Sequence, residues 1–513
     1  MNSSVKLPES WCALTMGDVA DVIGGGTPRT NNPNNFDGEI PWITPADLSG
    51  YKGKTISKGA RNITKSGFDD SGAKWLPKGS VLFSSRAPIG YVAIAACPVT
   101  TNQGFKSFVP CKGINPDYVY HWLSAAKQKA EELASGTTFL EISGSKAALI
   151  PFPLAPTSEQ TRIVEKLEEL LSDLDAGVAE LKAAQRKLGQ YRQSLLKAAV
   201  EGALTAQWRA QHTPTETGAQ LLERILTERR ARWEARQLAK FEAQGKAPPK
   251  DWRKKYPEPV LPDISDLPKL PPNWVWASGE QLCEFITKGT TPPKDLDTDG
   301  EKTVPFLRVT NLTDRGELDL SDKVFVSAKT HQGFLARSAV YPDDVLMNIV
   351  GPPLGQVAVV PKTFPEWNIN QAIAIFRAVD GVLPAFICCH LLSPVAQKWL
   401  KARSKTTAGQ TNLTLEVCRE LPFPLPPVDE QQALVLHLTA AIDGTARHNQ
   451  TIDQALKQSA AQRKNILKAA FSGELVPQDP DDEPAAVLLE RIRAERAAAV
   501  PAARRGRPAK ATA

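Results

Sequence analysis

Ile150-Pro151-Phe152-Pro153-Leu154-Ala155-Pro156-Thr157-Ser158-Glu159-Gln160 occurs a second time, as Leu421-Pro422-Phe423-Pro424-Leu425-Pro426-Pro427-Val428-Asp429-Glu430-Gln431. From these stretches to Leu204 and Leu475 the two copies stay in one register, 271 residues apart and without a gap. Arg192 aligns with Arg463, Lys197-Ala198-Ala199 with Lys468-Ala469-Ala470, and Gly202 with Gly473. Upstream, Leu7-Pro8-Glu9-Ser10-Trp11 recurs as Leu270-Pro271-Pro272-Asn273-Trp274, Ile40-Pro41-Trp42 as Val304-Pro305-Phe306, and Asn102-Gln103 as Asn370-Gln371. Val81-Leu82 followed by Ile89-Gly90 recurs as Val345-Leu346 followed by Leu354-Gly355. Downstream, Leu221-Leu222-Glu223-Arg224-Ile225 is echoed by Leu488-Leu489-Glu490-Arg491-Ile492. The chain is a tandem repeat.

Each copy has two parts. The first, near residues 7–157 and 270–428, is irregular, and its offset between copies drifts from 263 to 271. The second, near 158–204 and 429–475, keeps its length. Loops tolerate insertions; a rod holding two objects at a set distance does not. Ile163, Leu167, Leu170, Leu174, Leu181, Leu188, Tyr191 and Leu195 follow the 3–4 spacing of a coiled-coil seam. In the second rod Val435, Leu438, Ile442, Ile452, Leu456 and Ile466 do so, interrupted by Thr445, Asn449 and Ser459. Ser158 and Asp429 stand where an N-cap is needed, and Glu159 and Glu430 in the first turn suit the helix dipole. Gly202 and Gly473 are C-terminal stops. About 43 helical residues give a rod of roughly 65 Å. Two such helices in one chain can pair antiparallel; the plainer alternative packs each on its own globular neighbour.

The globular parts mix both element types. Residues 80–84 and 91–95 read as strands. Asn115-Pro116 opens a helix to about Leu133, and Leu383-Pro384 one to about Ala402. The fold class is therefore α+β: two repeated globular domains, each followed by a long helix, the two helices forming an antiparallel coiled coil. Residues 242–269 are rich in proline and charge and read as a linker; 500–513 read as a disordered basic tail.

The 513 residues carry 62 Lys/Arg against 56 Asp/Glu, a net charge of +6. The excess is local. Trp208–Tyr256 holds twelve basic residues against six acidic, and Arg491–Lys510 seven against one. Such runs are either solvated helix faces or the footprint of nucleic-acid contact. The helix from about Gly218 to Phe241 could meet DNA backbone or a partner; its echo at 484–499 suggests a repeated docking role. No apolar run reaches the roughly 20 residues of a membrane helix, and Met1–Lys6 lacks a signal-peptide core, which together point to the cytoplasm. Seven cysteines without Cys-x-x-Cys spacing, Cys388-Cys389-His390 being the nearest approach, read as buried reduced thiols.

Catalytic patterns are missing. Gly53-Lys54-Thr55 has Leu48 where a phosphate loop needs glycine. Gly24-Gly25-Gly26 lacks dinucleotide spacing. There is no Asn/Asp-Pro-Pro-aromatic tetrapeptide of an amino-methyltransferase, and Pro342-Asp343 is not followed by an Asp/Glu-x-Lys of a nuclease. The six histidines are scattered, His437 and His448 lying on the second rod. No catalytic, cofactor or metal site is assigned.

Taken in order, these motifs resemble the specificity subunits of type I restriction–modification systems. The residues carrying the resemblance are Leu-Pro-x-x-Trp at each start, Gly25-Gly26-Thr27-Pro28 and Gly289-Thr290-Thr291-Pro292, Ile89-Gly90 and Leu354-Gly355, the two Asn-Gln pairs, and the Pro-Phe-Pro-Leu-x-Pro-x-x-Glu-Gln exits at 151–160 and 422–431. The resemblance spans about residues 7–475. It implies target recognition domain 1 at 1–157, a central long helix plus basic helix at 158–241, the linker at 242–269, target recognition domain 2 at 270–428, a distal long helix plus short helix at 429–499, and the tail. It implies a sequence-specific, non-catalytic DNA-binding subunit that reads a bipartite asymmetric target. It further implies double-stranded DNA, two methyltransferase subunits and two ATP-dependent restriction subunits as partners, with S-adenosylmethionine, ATP and Mg on those subunits and no cofactor in this chain.

Base edges are read by Arg on guanine and Asn or Gln on adenine, with Ser/Thr less selective. The candidates in polar loops are Arg29, Arg86, Asn102, Gln103, Thr137 and Thr138 in copy one. In copy two they are Lys288, Arg308, Asn348, Asn370, Gln371, Gln410 and Asn412. Against this reading, an Asn or Gln in such a loop often satisfies its own backbone. Arg504-Arg505-Gly506-Arg507-Pro508 resembles the core of a minor-groove AT-hook, or is a generic basic tail. The rival to DNA reading is a coiled-coil scaffold without base readout. If the rods set the gap between two half-sites, inserting one heptad into each will lengthen the spacer in a methylation-site map and leave the half-sites unchanged; an unchanged spacer would refute this.

Overall fold

The computed structural model describes residues 7–136, 140–265, 267–293, 301–313, 315–407 and 409–499. Residues 500–513, read above as a disordered basic tail, lie outside them. Two compact units form: one from residues up to 182 together with those from 453 onward, the other from 183–452. Four helices recur as pairs: α1 (Thr157–Val200), α2 (Gly218–Ala243), α3 (Val428–Ser472) and α4 (Ala485–Ala499). Each long helix is divided between the units.

In each domain the first strand pairs antiparallel with the last. Cys12–Thr15 meets Pro151–Leu154 with Cys12 opposite Leu154, and Val275–Ser278 meets Pro422–Leu425 with Val275 opposite Leu425. Proline has no N–H to offer a central ladder, and both pairs are separate two-stranded sheets. Phe152, Leu154, Phe423 and Leu425, alternating with the prolines, are buried. The exit motif is thus an edge strand that closes the domain.

Between these strands lies an antiparallel-dominated sheet. In the first domain its order is Ala20–Gly24, Lys106–Pro110, Val81–Ser85, Ile89–Ala95, Thr55–Ile56, the last pair parallel. In the second it is Cys283–Lys288, Ile373–Ala378, Val345–Asn348, Val357–Val359. Both faces of the central strand are covered, because alternate residues point opposite ways. Val81 and Phe83 join one core and Leu82 another; Val345 and Met347 divide from Leu346 in the same way.

The start of each long helix is locked by the repeated Trp and Glu-Gln. Trp11 Nε1 donates to Glu159 Oε2 and Trp274 Nε1 to Glu430 Oε2, each at 2.8 Å and buried. Gln160 and Gln431 accept at 2.9 Å from the amides of Asn115 and Leu383. The helices start one residue before the expected caps. The Pro156 and Pro427 carbonyls accept the first helical bonds, from Gln160 and Gln431, so Ser158 and Asp429 stand inside the first turn. Gly202 and Gly473, at φ +73° and +79°, do end the helices. A Cβ on either would lie 2.5 Å or 2.3 Å from the ring of Pro271 or Pro8, so Leu-Pro-x-x-Trp seats the incoming helix end.

The antiparallel pairing is visible inside each unit. In the first, Ile163, Leu167 and Leu171 of α1 share a core with Ile466, Leu467, Ala470 and Phe471 of α3, and Arg463 bonds Asp175. In the second, Leu195, Leu196 and Ala199 share one with Leu434, Val435, Leu438 and Ile442. Positions rise along one helix as they fall along the other. Tyr191, read as a seam residue, is 52 % exposed; Arg192 is the half-buried residue of that turn. Thr445 and Ser459, which interrupt the second seam, return their hydroxyls to Ile442 and Ala455 carbonyls.

The echoed Leu-Leu-Glu-Arg-Ile docks on the chain's own domains. Leu221 and Ile225 enter the second unit's core, and Leu488, Leu489 and Ile492 the first; each such side chain contributes roughly 1.5–3 kcal/mol. Arg229 and Arg496 cap carbonyls at Cys283 (2.6 Å) and Gly17 (2.7 Å). Further arginines of α2 are ion-paired: Arg224 with Glu216, Arg230 with Glu234, Arg236 with Glu284. That makes α2 mainly a structural helix rather than a free basic face.

Two other readings change. The helices at 116–133 and 384–402 are each broken. Pro116–Ala125 and Lys127–Leu133 are separated at Ala126. Pro384–Leu392 and Pro394–Arg403 are separated at Ser393, where Pro394 cannot continue the first helix. Residues 242–269 are not a bare spacer: Trp252 is buried, stacks 5.8 Å from Trp233 and meets Phe241, while Tyr256 packs on Trp233. Aromatic burial folds the segment back on α2. His390, also buried, is held down to about 4 by its burial, so it stays neutral and contacts the Pro422 carbonyl through Nε2 at 2.8 Å.

The two locks differ in charge. Glu430 receives Arg209 (2.7 Å; 14 % and 1 % exposed) and Thr205. Glu159 receives Trp11 and Gln478, and burial pushes its carboxyl up. Glu430→Gln strands a buried guanidinium and should cost about 3–5 kcal/mol, whereas Glu159→Gln should cost about 1 kcal/mol. Denaturant unfolding of the two full-length variants measures this; equal losses would refute the distinction.

Candidate nucleic-acid interface

Four segments meet at one end of each sheet, through matching backbone bonds. The first is the glycine loop. A Cβ on Gly25 would lie 2.0 Å from the Asn102 carbonyl oxygen, and one on Gly289 2.2 Å from that of Asn370. Only glycine permits the chains to cross so closely. The second is the Asn-Gln turn. Asn102 Oδ1 accepts from Gly104 N at 2.9 Å and Asn370 Oδ1 from Ala372 N at 3.2 Å. The third is the exit of the central strand: Ser85 N donates to the Gly104 carbonyl (2.7 Å) and Ile349 N to that of Ala372 (2.8 Å). The fourth is an antiparallel pairing of two short segments. Ile142 N bonds the Ser85 carbonyl (3.0 Å) and Leu413 N that of Ile349 (2.9 Å). In register, Glu141 lies opposite Arg86 and Ser135, and Asn412 opposite Val350 and Lys405.

This junction gathers Arg86, Asn102 and Gln103 in the first domain, and Lys288, Asn348, Asn370, Gln371, Gln410 and Asn412 in the second. Their standing differs. Gln103, Gln371, Gln410 and Lys288 are exposed and Asn412 is half-buried. Asn102 and Asn370 use their carbonyl oxygens to build the turn, so they are turn-formers. Asn348 is fully buried; its Oδ1 accepts from Val350 N at 3.0 Å and its amide nitrogen bonds the Pro353 carbonyl. Asn348 is therefore corrected to a structural residue, because both ends of its amide are spent inside its own loop. Arg29 lies apart, 80 % exposed and 3.5 Å from Asp70. Arg308 follows Leu307, whose carbonyl bonds Asn370 N, and pairs with Asp322 at 2.6 Å. Thr137 and Thr138 lie outside the described residues.

Sequence reasoning passed over four neighbours. Lys106 and Glu141 join Arg86 in an ion cluster. Arg337 donates to Thr290 Oγ1 at 3.0 Å, and Lys405 is exposed opposite Asn412. Lys106 stands three residues after Gln103, a signal that was present; Arg337 joins only through long-range packing. Cations beside amides and hydroxyls on a rigid turn can bind phosphate and base edges. Among the described residues no group of three His, Cys, Asp or Glu side chains could hold a metal ion, and no helix is long and apolar enough to cross a membrane.

Two homologous domains, each presenting a junction of this kind with its own side chains, fit the class of DNA sequence-recognition proteins. The chain matches the type I restriction modification DNA specificity domain twice, over residues 8–183 and 271–458. It belongs to that family. It is 26% identical over 510 residues to the EcoBI specificity subunit of Escherichia coli, covering 97% of this chain and 95% of that one. It is 25% identical over 529 residues to the EcoKI specificity subunit of E. coli strain K12, covering 97% of each. A 165-residue stretch is 41% identical to the MjaIX specificity subunit of Methanocaldococcus jannaschii, spanning 32% of this chain and 38% of that relative. A chain solved in work on complex assembly and conformational transition of the type I restriction–modification system shares the fold, with TM-score 0.65 and 18% identity over 91% of this chain and 99% of that one.

In each Asn-Gln pair the asparagine side chain holds its own turn, whereas the glutamine is exposed, Gln371 meeting only the Thr291 hydroxyl among the described residues. Asn102→Ala and Asn370→Ala should each cost about 1 kcal/mol of stability. Gln103→Ala and Gln371→Ala should leave the melting transition within about 0.5 kcal/mol of the parent and weaken duplex binding instead. Thermal unfolding alongside fluorescence anisotropy on duplex DNA tests this; a destabilised Gln variant with unaltered binding would reverse the assignment.

Proposed function

We propose that this chain reads a bipartite, asymmetric duplex target, one part with each domain, and directs methyltransferase and restriction subunits to it. The observation that carries the reading is the doubled junction. Its backbone bonds are the same in both domains, while the outward side chains differ, with Arg86 and Glu141 in one against Val350 and Asn412 in the other. Equal scaffolds with unequal tips suit two unequal half-sites. A scaffold without base readout accounts for the paired helices but gives no reason for that difference.

The chemistry belongs to the partners: two methyltransferase subunits using S-adenosylmethionine and two restriction subunits using ATP and Mg. This chain contributes binding and direction in the cytoplasm, without catalysis and without a cofactor of its own. The full-length match to relatives named as type I restriction enzyme specificity subunits supports that division of labour.

Selection of the full-length protein against a pool of random duplexes is the decisive measurement. The expected product is two short motifs of different sequence at a constant separation. Affinity should fall with salt, with a slope of about 0.9 per phosphate contacted. Enrichment of no motif would support the scaffold reading.

A further inference from the structure

We propose that Glu141 is a specificity-determining residue of the first domain, which makes release of the Arg86 cation conditional on an exocyclic amino group in the DNA. The inference rests on the reading in which the four-segment junction faces the duplex.

Glu141 lies at the junction, 42 % exposed, with Arg86 Nη1 3.5 Å from one carboxylate oxygen and Lys106 Nζ 3.9 Å from the other. At these separations the contacts are ion pairs without hydrogen bonds. They contrast with Arg377 on Asp344, which is bidentate at 2.6 and 2.8 Å and deeply placed. A loose exposed pair is worth at most about 1 kcal/mol, so a phosphate or guanine can take the guanidinium away. The carboxylate left behind then faces polyanionic DNA. That is unfavourable unless a base offers a donor, which in the major groove is the N4 amino group of cytosine or the N6 amino group of adenine. At other bases the carboxylate repels the backbone and holds both cations back.

The second domain supplies the comparison. Asn412 occupies the register position of Glu141: Glu141 pairs with Ser135 and Arg86, Asn412 with Lys405 and Val350. Asn412 is uncharged, the cation of Arg86 is replaced by valine, and the described residues give the Asn412 amide no hydrogen bond. One backbone position thus carries an acceptor-only group in one domain and a donor–acceptor amide in the other, so the two junctions make different demands on a base.

The test is selection from a random duplex pool, with anisotropy on random-sequence duplex across a salt series, for full-length parent, Glu141→Gln, Asn412→Ala and Arg86→Ala. Glu141→Gln keeps the shape and removes the charge. It should raise affinity for random duplex about three- to fivefold, the size of one exposed ion pair, and steepen the salt slope by about 0.9. It should also relax base preference at one or two adjacent positions of one half-site only. Asn412→Ala should relax the other half-site, which assigns the halves. Unchanged preference, with or without a gain in affinity, overturns the proposal; so does a uniform loss of affinity accompanied by a lower melting temperature. Should Arg86→Ala and Asn412→Ala both bind and select as the parent does, the DNA-facing reading of the junction itself fails, whatever Glu141→Gln shows.

Discussion

A buried hydrogen bond from an indole to a carboxylate, made once in each unit, is the constraint from which the architecture follows. Trp11 on Glu159 and Trp274 on Glu430 tie the first residues of a domain to the first turn of the helix that leaves it. The adjacent glutamine fastens the same turn to the segment opening the domain's own helix, at Asn115 or Leu383. A buried carboxylate is tolerable only when its oxygens are occupied, so no residue can be added between the exit strand and this turn without orphaning it. The copies keep one register across the exit and the long helix and drift elsewhere. The drift lies in chain that the lock does not hold.

The same lock receives a helix end from the other side. In the first unit Pro8 sits against Gly473 and in the second Pro271 against Gly202. The positive φ of each glycine turns the chain at the helix end. A short return then brings Ala485 N to the Ser10 carbonyl, and Gly218 N to that of Asn273. Each unit is therefore built from segments far apart in sequence: its domain, the start of its own long helix, the end of the other, and a short helix whose leucines fill the core. Contiguous blocks of sequence and compact units do not coincide, because both long helices are divided between units.

What was legible in the sequence was local and doubled. The exit strand, the glycine stops and the 3–4 spacing are readable because proline, glycine and apolar periodicity have direct backbone consequences. What was hidden was pairwise. Glu159 and Glu430 fit the helix dipole, yet their partners are tryptophans more than a hundred residues away. Tyr191 satisfies the seam spacing as well as Arg192 does, and only the packing of the helices decides which turns inward. The segment after α2 has a linker's composition, but Trp252 finds Trp233 and condenses it. Asn348 has the chemistry of a base reader and is consumed by its own loop. Glu141 carries no motif; it enters the junction through strand register, which a single sequence does not display.

Why recognition can reside at the four-segment junction follows from its division of work between backbone and side chain. The crossing of Gly25 over Asn102, and of Gly289 over Asn370, is set by van der Waals contact and by amide bonds that recur in both domains. None of those bonds uses the side chains of residues 86, 103 or 141, or of 350, 371 or 412. The tips can therefore differ without loosening the platform, and a rigid platform keeps a changed side chain at a defined place on a base edge. A loop free of such crossings would spend binding energy on ordering itself and would blur the distinction between one base and the next. The close glycine contacts are in this sense the precondition for holding those side chains in place.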